Sequence, residues 1–322
     1  MNIDVHTHVV PDGLPFGLER ADERWPRLRE GDDTGDVLVA GEVYRTVART
    51  AWDLLARRAA LPARSSQAQV LSPMPHLFSY WAPVDQALDF SRGLNEWLAA
   101  AVRAHPGVFY GLGTVPIQDP AVAAAELPRV QAAGLSGVEL GTSVNGVSIA
   151  DPRFREVFEE ADRLGLSVFL HAFQPLMAAA VPGPAASAVC FPLDIALALA
   201  GLIANGTLER CPTLRLCASH GGGGFGLTLP RLVHTWHSKA AMRKRLPTPP
   251  EEVARRLYYD ILVFDAAALR YLTDVVGPSQ IVVGSDYPFL DVEPEWPLID
   301  AGLDADVVAL IREKNALAFL GL

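Results

Sequence analysis

The chain has 322 residues, of which half are hydrophobic, and it carries a formal net charge of −10. That acidic balance argues against nucleic acid as a partner, and no apolar run is both long enough and free enough of charge to suggest a membrane span. The first residues lack the basic and apolar regions of a signal peptide, so a cytoplasmic protein is expected. The three cysteines, Cys190, Cys211 and Cys217, form no CxxC motif, and no disulfide framework is expected.

Eight short β-type runs alternate with helix-compatible segments along the chain. The predicted strands span 2–8, 69–72, 109–115, 137–142, 167–171, 214–220, 257–262 and 281–286. The clearest predicted helices span 83–104, 121–132, 151–164 and 266–276. Apolar strands that alternate with helices are typical of a parallel sheet buried on both faces. Eight such units predict an α/β fold, the (β/α)8 TIM barrel, and no GxGxxG motif follows the first strand to suggest a dinucleotide-binding sheet.

One long insertion, at about residues 11–66, follows the first predicted strand. Within it, 35–43 is compatible with a small hairpin and 43–60 with a helix. A second irregular stretch, 173–188, follows the fifth strand. Loops of this length in a compact fold are usually functional or disordered. We expect both segments to lie over the barrel mouth, the first as a cap, within a single domain that spans 1–322.

Ligand-type side chains stand at the ends of four predicted strands. His6 and His8 end the first strand, His171 the fifth, His220 the sixth and Asp286 the eighth. In a barrel, the carboxyl ends of all strands meet at one face, where such folds carry their chemistry. Taken singly, each histidine could be a hydrogen-bonded core residue and Asp286 a turn cap. Taken together, three imidazoles and a carboxylate predict a site for Zn²⁺ or a similar divalent ion.

These motifs resemble those of the amidohydrolase superfamily, in particular the branch typified by aminocarboxymuconate-semialdehyde decarboxylase. The resemblance rests on His6-x-His8, on His171, and on the segments 220–225 (HGGGGF) and 284–289 (GSDYPF). It implies one zinc ion, or Mn²⁺ or another divalent ion, bound by His6, His8, His171 and Asp286. It further implies that His220 is the general acid/base, working beside Asp286 at the catalytic centre.

Two acidic residues in predicted strands have alternative roles. Binuclear members of the superfamily carry a carboxylated lysine at the end of strand four, but this strand, 137–142, contains no lysine, so one metal ion is expected. Glu139 in that strand could be an extra ligand or a buried hydrogen-bond partner. Asp260, at the end of strand seven, is a candidate to orient a ligand or a lid.

The substrate residues also follow from the resemblance. Arg45 matches a family arginine that grips a substrate carboxylate, although it could equally be an exposed helix arginine. Arg231 matches one that reaches into the neighbouring subunit's site, which implies a homodimer. His76 and Phe78 belong to a proline-held loop after strand two and could line the pocket. The family's best-known decarboxylase has no histidine in this loop, and its substrate-contacting tryptophan has no counterpart in 184–192.

The expected reaction is the non-oxidative decarboxylation of a small unsaturated or aromatic carboxylic acid. The same residues could serve a hydrolase or hydratase that acts on a lactone, amide, imine or enol acid. A third alternative is a non-catalytic metal-binding protein, against which the presence of His220 argues. No organic cofactor motif is found in the sequence.

Overall fold

A computed structural model describes residues 1–18, 22–290, 292–293 and 295–322. Eight parallel strands form one sheet in the order β1-β5-β6-β7-β10-β11-β12-β13. Its strands are β1 (Ile3–Val9), β5 (Ala68–Pro73), β6 (Phe109–Gly113), β7 (Gly137–Gly141), β10 (Ser167–His171), β11 (Arg215–Ala218), β12 (Tyr258–Asp260) and β13 (Ile281–Val282). The remaining strands are β2 (Arg27–Arg29), β3 (Thr34–Val39), β4 (Glu42–Ala48), β8 (Ser143–Val144) and β9 (Val147–Ser148).

The first and last strands of the sheet meet, which closes it into a barrel. The Val5 N–H donates to the Val283 carbonyl at 2.9 Å, and the Asp286 N–H donates to the His6 carbonyl at 2.8 Å. The backbone that follows β13 thus continues along β1, although only two residues there are regular strand. The predicted TIM barrel is therefore confirmed.

Helices surround the barrel and bury apolar faces against it. They are α1 (Leu54–Ala60), α2 (Val84–Ala104), α3 (Pro120–Ala132), α4 (Arg155–Leu164), α5 (Ala185–Ala204), α6 (Thr207–Arg210), α7 (Phe225–Ser238), α8 (Ala240–Arg245), α9 (Pro250–Ala254), α10 (Ala266–Val276), α11 (Trp296–Asp300), α12 (Ala305–Ala309) and α13 (Asn315–Leu320). The main core lies between the strands and these helices. A smaller cluster joins strand residues such as Ile3 and Phe169 to Phe319 of α13.

The insertion after β1 folds as a three-stranded antiparallel sheet, β2-β3-β4, followed by α1. The predicted hairpin is present and longer than expected, but the predicted helix over 43–60 is wrong in its first half, since β4 continues to Ala48. The turn at Ala40 and Gly41 has positive φ at both residues, which suits a two-residue hairpin. Part of this insertion, residues 19–21, lies outside the described residues.

The insertion packs onto the barrel through an apolar cluster of its own. Trp25, Val47 and Trp52 are buried against Leu77 and Phe90, which belong to the loop after β5 and to α2. Because this contact runs through large buried side chains, the sheet is held over the carboxyl end of the strands. The predicted domain bounds, 1–322 with a cap at 11–66, stay a prediction.

One helix among the described residues, α5, is long and apolar enough to cross a membrane by length and composition. The prediction that no apolar run has this length and composition was wrong. In the structure α5 behaves as a core helix on one side, where Ile195, Leu199 and Leu202 are buried. Its Asp194 is also buried and accepts hydrogen bonds from the Thr142 hydroxyl and the Leu176 N–H.

Candidate metal centre and substrate pocket

Four side chains, from β1, β10 and the segment that follows β13, converge at the barrel mouth. One ligand-type atom from each of His6, His8, His171 and Asp286 lies within 4.8 Å of every other. The Asp286 Oδ1 atom is 3.1 Å from His8 Nε2 and 3.6 Å from His6 Nε2. The backbone at Asp286 has a φ of 61°, a strained value for a non-glycine residue that is often found at functional sites.

The converging atoms have no hydrogen-bond partners. Nε2 of His6, His8 and His171 and Oδ1 of Asp286 are all buried, and none makes a hydrogen bond. A buried polar atom without a partner costs about 1–3 kcal/mol, so four in one place call for a missing partner. A divalent cation bound by three imidazole nitrogens and one carboxylate oxygen would satisfy all four.

The other imidazole nitrogens are already engaged, which fixes their protons. Nδ1 of His6 is 2.6 Å from Asp260 Oδ2, Nδ1 of His171 is 2.8 Å from the Ala172 carbonyl, and Nδ1 of His8 is 3.3 Å from the Pro73 carbonyl. These acceptors favour the tautomer with the proton on Nδ1, so each Nε2 presents its lone pair to the centre. Outer partners of this kind orient the ligands of protein metal sites.

The charges of the site also suit a cation. Burial would raise the pKa of Asp286, but the close approach of His8 and the charges of the neighbouring imidazoles lower it well below the ordinary value. For His6, burial lowers the pKa, yet Asp260 and Asp286 together raise it to about 9. The two buried carboxylates therefore draw a proton onto His6 when nothing else neutralises them. A bound divalent ion would take over that role.

His220 lies beside the four converging residues without joining them. Its ring centroid is 5.3 Å from that of His6 and 5.2 Å from that of His171. Its Nδ1 is 2.8 Å from the Ser219 hydroxyl, and its backbone φ of 55° places it in the left-handed region. Burial and the charge of His6 lower the pKa of His220 to about 4. The imidazole is therefore neutral near pH 7, which is the form that a general base requires.

Asp260 connects His6 with His220. Its carboxylate accepts from His6 Nδ1 and from the backbone N–H groups of His220, Gly221 and Leu262, at 2.6 to 3.0 Å. The sequence had marked Asp260 as a candidate to orient a ligand, and this geometry places it against one of the predicted ligands. It also fixes the start of the glycine-rich turn that carries His220.

Glu139 lies behind His8, on the side away from the converging atoms. Its Oε2 is 3.8 Å from His8 Nδ1, and neither of its carboxylate oxygens has a hydrogen-bond partner. Burial raises the pKa of Glu139 well above its ordinary value. It does not join the group of potential ligands, and the hydrogen-bond partner expected for the alternative role is not found among the described residues either.

Arg45 reaches the site from the edge of the insertion sheet. Its guanidinium carbon lies 4.5 Å from the centroid of the Phe289 ring, which in turn stacks on His8 at 5.3 Å with an interplanar angle of 16°. No carboxylate in the described part of the chain forms a salt bridge with Arg45. The residue belongs to strand β4, not to a helix, and it offers a cation to the space above the metal centre.

The loop after β5 supplies aromatic walls. The His76 imidazole packs 3.8 Å from the Tyr44 ring and 5.4 Å, edge to face, from Phe173. Phe78 is fully buried and packs against Phe173 and Tyr80, so it supports the wall from behind. Phe173 belongs to the irregular stretch after β10, where Ser143 donates to its carbonyl.

Comparisons with known proteins agree with this geometry. The amidohydrolase family model matches residues 3–322. The chain belongs to the amidohydrolase family. It is 30% identical to a 2-amino-3-carboxymuconate-6-semialdehyde decarboxylase of Dictyostelium discoideum, over 100% of this chain and 92% of that protein.

Solved structures of family members share the barrel. The 5-carboxyvanillate decarboxylase of Sphingomonas paucimobilis is 25% identical, with a TM-score of 0.84 over 100% of this chain and 99% of that one. A dihydroxybenzoic acid decarboxylase of Polaromonas with bound manganese and 2-nitroresorcinol is 18% identical and shares the fold, with a TM-score of 0.78 over 100% and 97% of the two chains. The relatives from Dictyostelium and Sphingomonas are decarboxylases, which confirms the predicted enzyme class of carbon–carbon lyase within the amidohydrolase superfamily.

The amidohydrolase barrel brings most predicted site residues together, with one exception. Arg231 lies exposed on α7, and its recorded hydrogen bond is local, from the Thr235 hydroxyl to its carbonyl. Sequence reasoning missed Tyr44 and Phe289 as pocket residues. Tyr44 precedes the singled-out Arg45 and Phe289 ends the GSDYPF segment, but which way their rings point depends on the packing of the insertion.

Proposed function

We propose that this chain is a metal-dependent, non-oxidative decarboxylase of a small aromatic or unsaturated carboxylic acid. The observation that carries the proposal is the convergence of four unpartnered ligand-type atoms beside a neutral His220, in a family whose named relatives remove carboxyl groups. A hydrolase or hydratase could use the same centre. The names of the relatives favour decarboxylation.

His6, His8, His171 and Asp286 would hold one zinc ion, because three imidazoles and a carboxylate form a donor set that zinc prefers. Manganese in the Polaromonas relative makes Mn²⁺ the alternative. When bound, the ion would supply Lewis-acid polarisation of substrate oxygens. Metal content of protein purified without chelators, followed by reconstitution with either ion, distinguishes the two.

Arg45 would bind the substrate and His220 would transfer the proton in the reaction. The Arg45 guanidinium would hold a substrate carboxylate through paired hydrogen bonds. Breaking the bond between carbon and the leaving carboxylate releases CO₂ and leaves the electron pair on carbon. His220 would first accept a proton from a substrate hydroxyl or water and then donate it to that carbon, which forms the new C–H bond.

The test is CO₂ release from a panel of aromatic acids by zinc-loaded protein. His220→Asn should keep one equivalent of zinc and lower turnover by about 100-fold or more. His237→Asn, on the exposed face of α7, is the matched control and should keep full activity. Ring opening or water addition without CO₂ would identify the hydrolase or hydratase instead. Full turnover by His220→Asn would move the acid/base role to another residue.

We also propose a homodimer in the cytoplasm. Leu193 and Leu197 of α5 and Leu227 of α7 are large apolar side chains left exposed, and Arg231 follows Leu227 by one helical turn. A second copy covering this surface would bring Arg231 to an interface. Leu227→Asp should convert the dimer to a monomer in light scattering, and a monomeric wild type would contradict the proposal. The three free cysteines are consistent with a reducing compartment.

A further inference from the structure

One polar side chain in the pocket has no part in the proposed chemistry. His76 lies in the short turn Pro75–Phe78 after β5, half-buried between the rings of Tyr44 and Phe173. Among the residues that the structure describes, neither nitrogen of its imidazole has a hydrogen-bond partner. The ring is thus held in place by packing while its polar atoms are left unused.

The charge of this imidazole is fixed by its surroundings. Burial, followed by the neighbouring positive charge of Arg45, lowers the pKa of His76 to about 4. Near pH 7 the ring is therefore neutral, with one N–H donor and one acceptor nitrogen. Such a ring complements a group that both donates and accepts, and it gains less from a second carboxylate, which only accepts.

His76 and Arg45 also belong to one part of the pocket. Tyr44, which stacks on His76, precedes Arg45 in β4, and Arg45 lies over Phe289, whose ring stacks on the predicted ligand His8. A cation site and a neutral hydrogen-bonding site are therefore adjacent, and flat rings surround both. This arrangement suits a flat molecule with an anionic group and a neutral polar group near each other.

We propose that His76 is a specificity-determining residue that binds a hydroxyl group on the ring of an aromatic acid whose carboxylate is held by Arg45. The inference rests on the proposed function, because it uses the same pocket, and it narrows the substrate class to hydroxylated aromatic monocarboxylates. The His76 N–H or its acceptor nitrogen meets the hydroxyl, and the rings of Tyr44 and Phe173 fix the imidazole in that orientation.

The test measures binding directly, by calorimetry of the zinc-loaded protein with benzoate and with 2-, 3- and 4-hydroxybenzoate. The wild type should bind the best hydroxylated acid at least about 5-fold more tightly than benzoate, as expected for one hydrogen bond to a buried group. His76→Leu should reduce that preference by about 5- to 10-fold and change the affinity for benzoate by less than about 2-fold. Any contribution of the metal to hydroxyl binding is common to both proteins and cancels in the comparison.

Two further variants keep the comparison decisive. His76→Asn retains a donor and an acceptor and should keep part of the preference, whereas His237→Leu should keep all of it. If His76→Leu does not fold, His76→Phe serves instead, because it preserves the ring stacking. A wild-type preference below 2-fold for every hydroxylated acid, or equal weakening of all four ligands by His76→Leu, overturns the inference.

Failure of this inference is distinguishable from failure of the proposed function. A hydroxyl preference that depends on His76, without CO₂ release from any acid, would leave the inference standing and refute the decarboxylase. CO₂ release from hydroxylated and plain acids alike, unchanged in His76→Leu, would do the reverse.

Discussion

Replacing Asp260 by asparagine should weaken metal binding without removing a ligand. The carboxylate accepts four hydrogen bonds, at Oδ2 from His6 Nδ1 and the His220 N–H, and at Oδ1 from the N–H groups of Gly221 and Leu262. Asparagine has the same shape but only one acceptor oxygen. Its NH₂ group must face one of these pairs of donors. If it faces His6, the imidazole proton moves to Nε2, the atom that would bind the metal.

The magnitude follows from the bond that is lost. A hydrogen bond to a charged group contributes about 1.5–3 kcal/mol, and 1.4 kcal/mol corresponds to a tenfold change in a binding constant. Asp260→Asn should therefore bind zinc about 10- to 100-fold more weakly, in the range typical of residues that orient metal ligands.

The assay is competition for Zn²⁺ between metal-free protein and a chromogenic chelator at pH 7. Asp265→Asn is the matched control, since Asp265 lies exposed on the same loop and caps α10 by accepting from the Ala268 N–H at 2.7 Å. Because asparagine caps a helix about as well as aspartate, this variant should leave both the free energy of unfolding and the zinc affinity nearly unchanged. Zinc affinity of Asp260→Asn within about 2-fold of wild type would refute the role given to this carboxylate.

Three further outcomes are expected. Burial raises the pKa of Asp4 to about 6, so the folded state disfavours the ionised carboxylate and loses stability as pH rises from about 4 through 6. The free energy of unfolding of metal-free Asp4→Asn, measured in urea, should therefore rise by up to about 3 kcal/mol relative to wild type between pH 4 and pH 7. A difference between the two proteins that does not change with pH would contradict this. Arg45→Ala should raise KM for an aromatic carboxylate by about 10- to 100-fold. The Arg29 side chain pairs with an aspartate on the same sheet, so Arg29→Ala should leave KM unchanged. An equal effect of both variants would contradict the proposal that Arg45 binds the substrate carboxylate. A Cβ on Gly223, where φ is +59°, would lie 1.8 Å from a backbone carbonyl oxygen of α5, so Gly223→Ala should destabilise the fold by about 2–4 kcal/mol. At Gly224 the nearest atom would lie 3.8 Å from the added Cβ, so Gly224→Ala should destabilise the fold by less than about 1 kcal/mol. Similar unfolding midpoints for the two variants would refute the argument.

The barrel and its metal-binding pattern were accessible from the sequence for local reasons. An apolar strand such as β10 can be recognised from the composition and length of its own segment. Its last residue, His171, is a ligand-type side chain that the barrel places at its mouth. His6 and His8 are two residues apart on one strand, so they share a face whatever the rest of the chain does. The partners from distant strands then followed from the topology of a closed parallel sheet.

The insertion resisted prediction because its structure depends on contacts beyond its own sequence. Residues 43–60 were assigned to a helix, yet Val43, Thr46 and Val47 are β-branched residues that pair with β3. The sheet is stabilised by burying Trp25 and Trp52 against the loop after β5 and against α2. Local propensity does not contain that information.

The sequence by itself determined the strands of the barrel, the family and the set of side chains able to bind a metal. Only the tertiary structure decided how these side chains are used. It left the Nε2 atoms of three histidines without partners, engaged their Nδ1 atoms, and set Asp260 against His6. It also placed Arg45 over Phe289 and enclosed His76 between two rings. The physical reason is that the tautomer, the charge and the accessibility of a side chain depend on neighbours brought together from distant parts of the chain. Burial strengthens the effect of each of those contacts.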